Sequence, residues 1–304
     1  MFLHLILERV LKSTPVMLLL AILIGLVFPQ ASNFFKDYVD LAMIIVLTIS
    51  AMGIRIKAIF SANKGVKMML VGLALNYVVL SALCILLGYL FFPQDVELRN
   101  GFAAMATVPV ATAVVPFTHL LKGDVEYSMS ITTLLYLSAL ILTPLLSYGL
   151  FGSAVNLWEL IIVDVQLILL PLILSRILLL LKADRIPKGA YDVTINIALA
   201  VIVYAIIGVN QPTFFTGEAF ISLILLAALI RTFGIGILTE KIATKAGVEK
   251  QLIPPITMLA SIKNMALTST LTLNILTPKS SLPAAICMPL EILFFIYLKT
   301  KGYS

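Results

Sequence analysis

Apolar residues along this chain come in long blocks, separated by short polar stretches that carry nearly all of the charge. Ten such blocks run over approximately residues 13–28, 38–54, 66–91, 99–119, 126–150, 157–181, 190–209, 216–238, 252–277 and 281–299. A helix rises ~1.5 Å per residue, so ~20 apolar residues cross a ~30 Å hydrocarbon slab. Several blocks are short for a straight span, as happens where helices are broken or turn back inside protein. None shows the two-residue alternation of a barrel strand. The pattern predicts an all-α polytopic membrane protein of ten transmembrane helices.

Composition agrees. The chain is 61% hydrophobic and 12% charged, with a mean hydropathy of +1.10, whereas soluble domains carry about a quarter charged residues. Its formal charge of +6 does not point to nucleic acid, because the basic residues sit at block ends and not in one patch. Cys84 and Cys287 both fall inside apolar blocks, so no disulfide is expected. The first block, Pro15 to Phe28, has no small-residue cleavage site after it and reads as a retained span.

Loop charge sets an expected orientation. Fifteen of the 21 Lys and Arg fall on one side, three on the other (Lys36, Arg99, Lys279), and Arg176, Arg231 and Lys263 lie within blocks. The positive-inside rule then places both termini in the cytoplasm of a cell-membrane protein. The halves, residues 1–152 and 153–304, are alike in layout. Met52-Gly53 ends the second block and Ile207-Gly208 ends the seventh, while the fourth carries Pro109 and Pro116 and the ninth begins at Pro254-Pro255. Five spans followed by five make an inverted repeat, with segments 4 and 9 as broken, crossing helices. Interrupted segments at matching positions are the best sequence pointer to a transporter's binding site.

The candidate chemistry gathers there. Lys263 lies nine residues past Pro254, ~13 Å along a helix and close to mid-membrane, where a lysine costs ~2.5–3.5 kcal/mol on insertion scales. A snorkelling or structurally paired lysine is the plainer alternative to a substrate or ion site. Pro109 and Pro116 each remove a backbone donor and free carbonyls, with Thr107, Thr112 and Thr118 nearby. Ser128, Thr132 and Thr133 form a polar stripe on the fifth segment that would also serve as helix–helix glue. Asn76 is a buried polar group needing a partner, Asn264 and Thr268 flank Lys263, and Glu291 is the natural counter-charge for that lysine. Asp164 would face an outward cavity, His119 an interface, and Arg176 and Arg231 would snorkel toward the cytoplasm. Trp158 reads as an interfacial anchor. No metal-ligand spacing, nucleotide loop or catalytic triad is present, so no cofactor and no enzyme activity are expected.

Three stretches carry a resemblance: Ala51-Met-Gly-Ile-Arg-Ile-Lys57; Val108-Pro-Val-Ala-Thr-Ala-Val-Val115 with Leu121-Lys-Gly-Asp124 and Ser128 to Thr132; and Ile262-Lys-Asn-Met-Ala-Leu267. Over essentially its whole length the chain resembles the prokaryotic branch of the bile acid:sodium symporter family, with degenerate sodium-site motifs. The resemblance implies two unwound helices crossing at mid-membrane. It also implies a core domain (segments 3–5 and 8–10) moving against a panel domain (segments 1, 2, 6 and 7), and sodium-driven uptake of organic anions.

The departures point elsewhere. By alignment with that family, its Ser-Asn sodium pair falls at Val114 and Val115, a Glu falls at Leu259, and a Gln becomes Lys263. A segment-three Gln becomes Asn76, while Ser128 and Thr132 survive. A hard cation wants several oxygens, usually one of them anionic. Lys263 therefore substitutes for sodium in this reading. The chain is expected to be a secondary transporter of a small organic anion by alternating access, sodium-independent and proton-coupled if the lysine exchanges its proton. Its expected partners are that anion and the lipid bilayer, with no nucleic acid and no obligatory protein partner. Sodium-coupled symport, an auxin-efflux-type carrier and a membrane receptor are the alternatives. An arsenite-type carrier would have a cysteine in segment four, which this chain lacks.

Overall fold

The computed structural model describes residues 10–53, 65–152, 156–215 and 220–303, and among these every regular element is helical. Residues 54–57 of the basic turn after the second block, and the side chain of Asp164, lie outside the described residues. α1 (Thr14–Val27) bends by 93° into a short helical stretch, Pro29–Lys36. α2 (Val39–Ala51) is 13 residues long, about 20 Å at ~1.5 Å per residue. Next come α3 (Val66–Phe91), a broken α4 (α4a, Val96–Met105; α4b, Val114–Leu120), α5 (Val125–Phe151), α6 (Ile161–Leu180) and α7 (Lys188–Val209). α8 (Phe220–Lys245), a broken α9 (α9a, Ile253–Leu259; α9b, Met265–Ile275) and α10 (Pro278–Lys301) complete the chain.

Six of these helices are long and apolar enough to cross a bilayer unbroken, or seven if the bent first pair counts as one span. The chain is a multi-pass membrane protein. The difference from ten apolar blocks has a plain cause: α4 and α9 are each split into pieces too short to span, and α2 is short.

α7 packs on α1 and α2, and α6 on α2; α10 packs on α4a, α8 and α9b, and α3 on α4a. α7 and α6 also reach the remaining helices, α7 against α10 and α6 against α5. Close approaches use small residues, as membrane helix interfaces do. A Cβ on Gly101 of α4a would lie 2.4 Å from the Ser280 carbonyl of α10. The turn before α5 is similarly tight. Lys122 takes a left-handed φ of 52°, Gly123 packs on Thr118 and Pro255, and Asp124 caps α5 by accepting from the Tyr127 amide.

Two helices carry a wide π turn where polar residues face inward: Ala74–Leu80 in α3, with Asn76 and Tyr77, and Ile230–Gly234 in α8, with Arg231. Such bulges reorient side chains that a regular helix would point elsewhere. At the other edge, Arg176 of α6 donates to the Ala51 carbonyl and so caps the end of α2, a structural role. α8 runs on to Lys245, seven residues past its expected end, and this moves Arg231 to mid-helix. The expectation that Arg231 snorkels to the cytoplasm is overturned: its side chain is fully buried.

Candidate functional site

The two broken helices meet backbone to backbone. The Asn264 amide of the second break donates to the Pro109 carbonyl of the first at 2.8 Å. The first break spans residues 106–113 and the second 260–264. Pro109 lies in the first. Pro116 was expected to break the helix too, but it stands in the first turn of α4b, where a missing amide costs nothing because that donor has no helical partner.

Breaking a helix inside a membrane leaves carbonyls that need donors. Here the chain supplies them. At the first break, Ala106 accepts from Lys263 Nζ (3.2 Å) and Ser81 Oγ (2.8 Å), and Thr107 accepts from Thr143 Oγ1 (2.9 Å). Val108 accepts from Lys263 Nζ at 2.9 Å. At the second, Leu259 and Ile262 accept from Asn76 Nδ2 at 3.0 and 3.2 Å, Ser261 from Arg231 at 3.0 Å, and Lys263 from the Met265 amide.

Lys263 itself is fully buried. Its Nζ has three oxygen neighbours, Val108 O, Ala106 O and Ser81 Oγ (3.0 Å), and sits 4.7 Å from the centroid of the Tyr77 ring. The carbonyls only accept, and the single Ser81 proton goes to Ala106 or Asn76. An ammonium at this position would donate to all three oxygens, with the ring face adding a cation–π contact.

Glu291 is not the ion-pair partner of Lys263 Nζ. It accepts from the Lys263 backbone amide at 3.0 Å and pairs with Arg231 at 2.7 Å. A guanidinium suits a buried carboxylate better than an ammonium does, because its planar fork holds geometry while being less strongly hydrated. The buried thiols Cys84 and Cys287 lie close to Arg231.

A cavity of about 400 Å³ opens against the breaks. One wall comes from α1, α2 and α7 and their approaches, including Thr14, Ser50, Asn196 and the exposed pair Lys12 and Asp192. The other comes from the breaks and α10, including Thr112, Asn264, Lys263 and Glu291. Thr14 donates to Asn196 Oδ1 (2.6 Å), whose amide nitrogen donates to the Leu11 carbonyl (2.9 Å). A larger groove of about 510 Å³, beside Phe34, Tyr38 and Ile197, is almost wholly apolar and touches neither break.

Among the residues singled out from sequence, Thr112, Lys263, Asn264 and Glu291 share the cavity wall. Asn76 lies beneath it as a strap for the second break. Thr132 lines an adjoining hollow of about 80 Å³ with Ser50 and Thr112, and its hydroxyl has no partner among the described residues. Ser128 is elsewhere, accepting from Thr118, and Thr268 bonds back to the Asn264 carbonyl within α9b. His119 is exposed.

Sequence reasoning missed Arg231 as a buried member, and missed Ser81, Tyr77 and Tyr136 altogether. Tyr136 is buried on α5; its hydroxyl accepts from Asn264 Nδ2 of the second break (2.9 Å) and lies close to Thr112 of the first. Ser81 stands five residues after Asn76, the spacing of a π turn, and that spacing was the available signal.

A helical multi-pass membrane protein with two interrupted helices meeting beside a central cavity has the form of a transporter. A family model described as Sodium Bile acid symporter family matches residues 40–211, more than half of the chain, and the chain belongs to that family. No curated protein matches it. The matched residues hold the first break, Asn76, Ser81 and Tyr136; Arg231, Lys263 and Glu291 lie beyond them. Val114, Val115 and Leu259 offer no side-chain oxygen, and the freed carbonyls of Ala106 and Val108 already accept from Lys263.

Proposed function

We propose that this protein is a secondary transporter of a small organic anion, working by alternating access without sodium. In this reading the chain crosses the membrane ten times as two inverted five-helix repeats, with α4 and α9 as the broken spans and both termini cytoplasmic. α1, α2, α6 and α7 form the panel, the remaining helices the moving core, and the cavity between them takes the substrate.

The observation that carries it is the seat of Lys263 Nζ on the Ala106 and Val108 carbonyls and Ser81, read here as that of an ammonium. A tethered cation there supplies the charge and the donors that a bound ion would otherwise bring. A site complete without a free ion has no place for one to drive the cycle. A volume of about 400 Å³ suits a small organic molecule, and the N-terminus of α9b opens on the cavity, favourable to a carboxylate.

Uptake of organic acids into proteoliposomes, with sodium replaced by potassium or choline, tests this. The expected result is unchanged transport on replacement. A steep sodium requirement would sink the reading.

A further inference from the structure

Beneath the cavity floor the buried charges do not balance. Lys263, the ammonium of the proposed function, and the Arg231 guanidinium are both held fully inside, and Glu291 is the one carboxylate that either residue meets at hydrogen-bond distance among the described residues. Two positive charges against one negative leave one net positive charge. All three side chains belong to α8, α9 and α10, so the charge is built into one group of helices. Lys12 and Asp192, of opposite sign, belong to the other wall of the cavity and cancel each other.

This bears on transport directly and rests on the proposed function. A core carrying one fixed positive charge becomes neutral when it binds a monovalent anion. The loaded core then crosses the field without doing electrical work. The empty core returns charged. In a carrier coupled to a free cation that ion would leave with the substrate, but a tethered lysine rides back.

We infer that the protein is an electrogenic carrier of monovalent organic anions in which the empty return step moves the charge, so that it exports or exchanges such anions and does not accumulate them. Each net cycle moves one negative charge with the substrate. A membrane potential of 100 mV, inside negative, favours export over uptake about 50-fold for one full charge. Exchange of one anion for another never uses the empty return and is insensitive to potential. The floor charge also selects against neutral solutes and against dianions, whose loaded form would again be charged.

The test begins with no substrate at all. Purified protein reconstituted on a solid-supported membrane is stepped through voltage in the absence of organic anions. A transient charge movement is expected, lost in Lys263→Gln and roughly doubled in Glu291→Gln, which keeps its hydrogen-bonding shape while removing the negative charge. If the lysine variant does not fold, the glutamate variant decides alone. Absence of charge movement in the wild type, or equal movement in the folded variants, overturns the inference.

In parallel, counterflow of labelled benzoate is followed in proteoliposomes clamped with potassium and valinomycin. Exchange indifferent to potential beside net efflux that rises with it supports the inference, and the reverse overturns it. Loss of benzoate counterflow with the charge movement intact counts against the anion-transport reading and leaves the charge count standing.

Discussion

The two breaks solve one problem in opposite ways. The first, residues 106–113, contributes backbone: its carbonyls accept from Lys263, Ser81, Thr143 and the Asn264 amide, and its own side chains bring no charge. The second, residues 260–264, contributes the charge, and its carbonyls are tied by Asn76 and Arg231 reaching in from α3 and α8. Proline opens the first. No proline lies within the second, since Pro254 and Pro255 sit in the first turn of α9a where helices tolerate them. A helix interrupted without proline stays interrupted only because side-chain donors replace the bonds it forgoes. The second break should therefore depend more heavily on its neighbours than the first.

Arg231→Met should have the largest effect. It strips the Ser261 carbonyl of its donor and leaves Glu291 buried without an ion-pair partner, a change that costs about 3–5 kcal/mol when one member of a buried pair is removed. Thermal or denaturant unfolding in detergent would measure it. Removing Glu291 as well, as Arg231→Met with Glu291→Leu, should recover much of the loss, because apolar replacement of a whole buried pair is often close to neutral. A double variant no better than the single one would mean that Arg231 acts through Ser261 alone.

Lys263→Met should cost less, about 1–3 kcal/mol. It orphans the Val108 carbonyl, leaves Ala106 to Ser81 alone, and also removes a buried cationic group. Should Lys263→Met prove more damaging than Arg231→Met, the ranking of the two breaks is reversed and the first is the more dependent. Thr143→Val touches only the first break, taking the donor from the Thr107 carbonyl, and about 1 kcal/mol is expected from the same unfolding measurement.

Sequence carried most of the fold because hydrocarbon imposes a length rule: every long helix begins and ends within a few residues of its apolar block, apart from the C-terminal extension of α8. It carried Lys263 because a lysine at mid-block is anomalous on its own. The partners were less legible. Pairing Lys263 with Glu291 followed from charge and depth, but depth does not say which atom of a residue faces a carboxylate, and the backbone amide does so here. Arg231 was misjudged because the block seemed to end at residue 238; the seven further residues of helix changed its depth and with it the partner of Glu291. Ser81 and Tyr136 are hydroxyls with no anomaly in their local pattern. Their roles arise from where a π turn and a neighbouring helix place them.

Tyr136→Phe is the smallest of these changes and the one that separates the two breaks most cleanly. The phenol oxygen accepts from Asn264 on the second break and lies close to Thr112 on the first, while Tyr136 itself belongs to α5. Phenylalanine keeps the ring and deletes only the hydroxyl. Asn264 retains its backbone bond to Pro109 and its capping bond to the Leu267 amide, so both helices should stay broken and folded. The stability cost should be about 1 kcal/mol, the net worth of a buried hydrogen bond. Thr112 and Asn264 both line the cavity, so under the proposed function loosening them should raise KM for the anion more than it lowers the maximum rate. An equal fall in both, with KM unchanged, would mean that the hydroxyl serves the movement of the core and not the shape of the cavity.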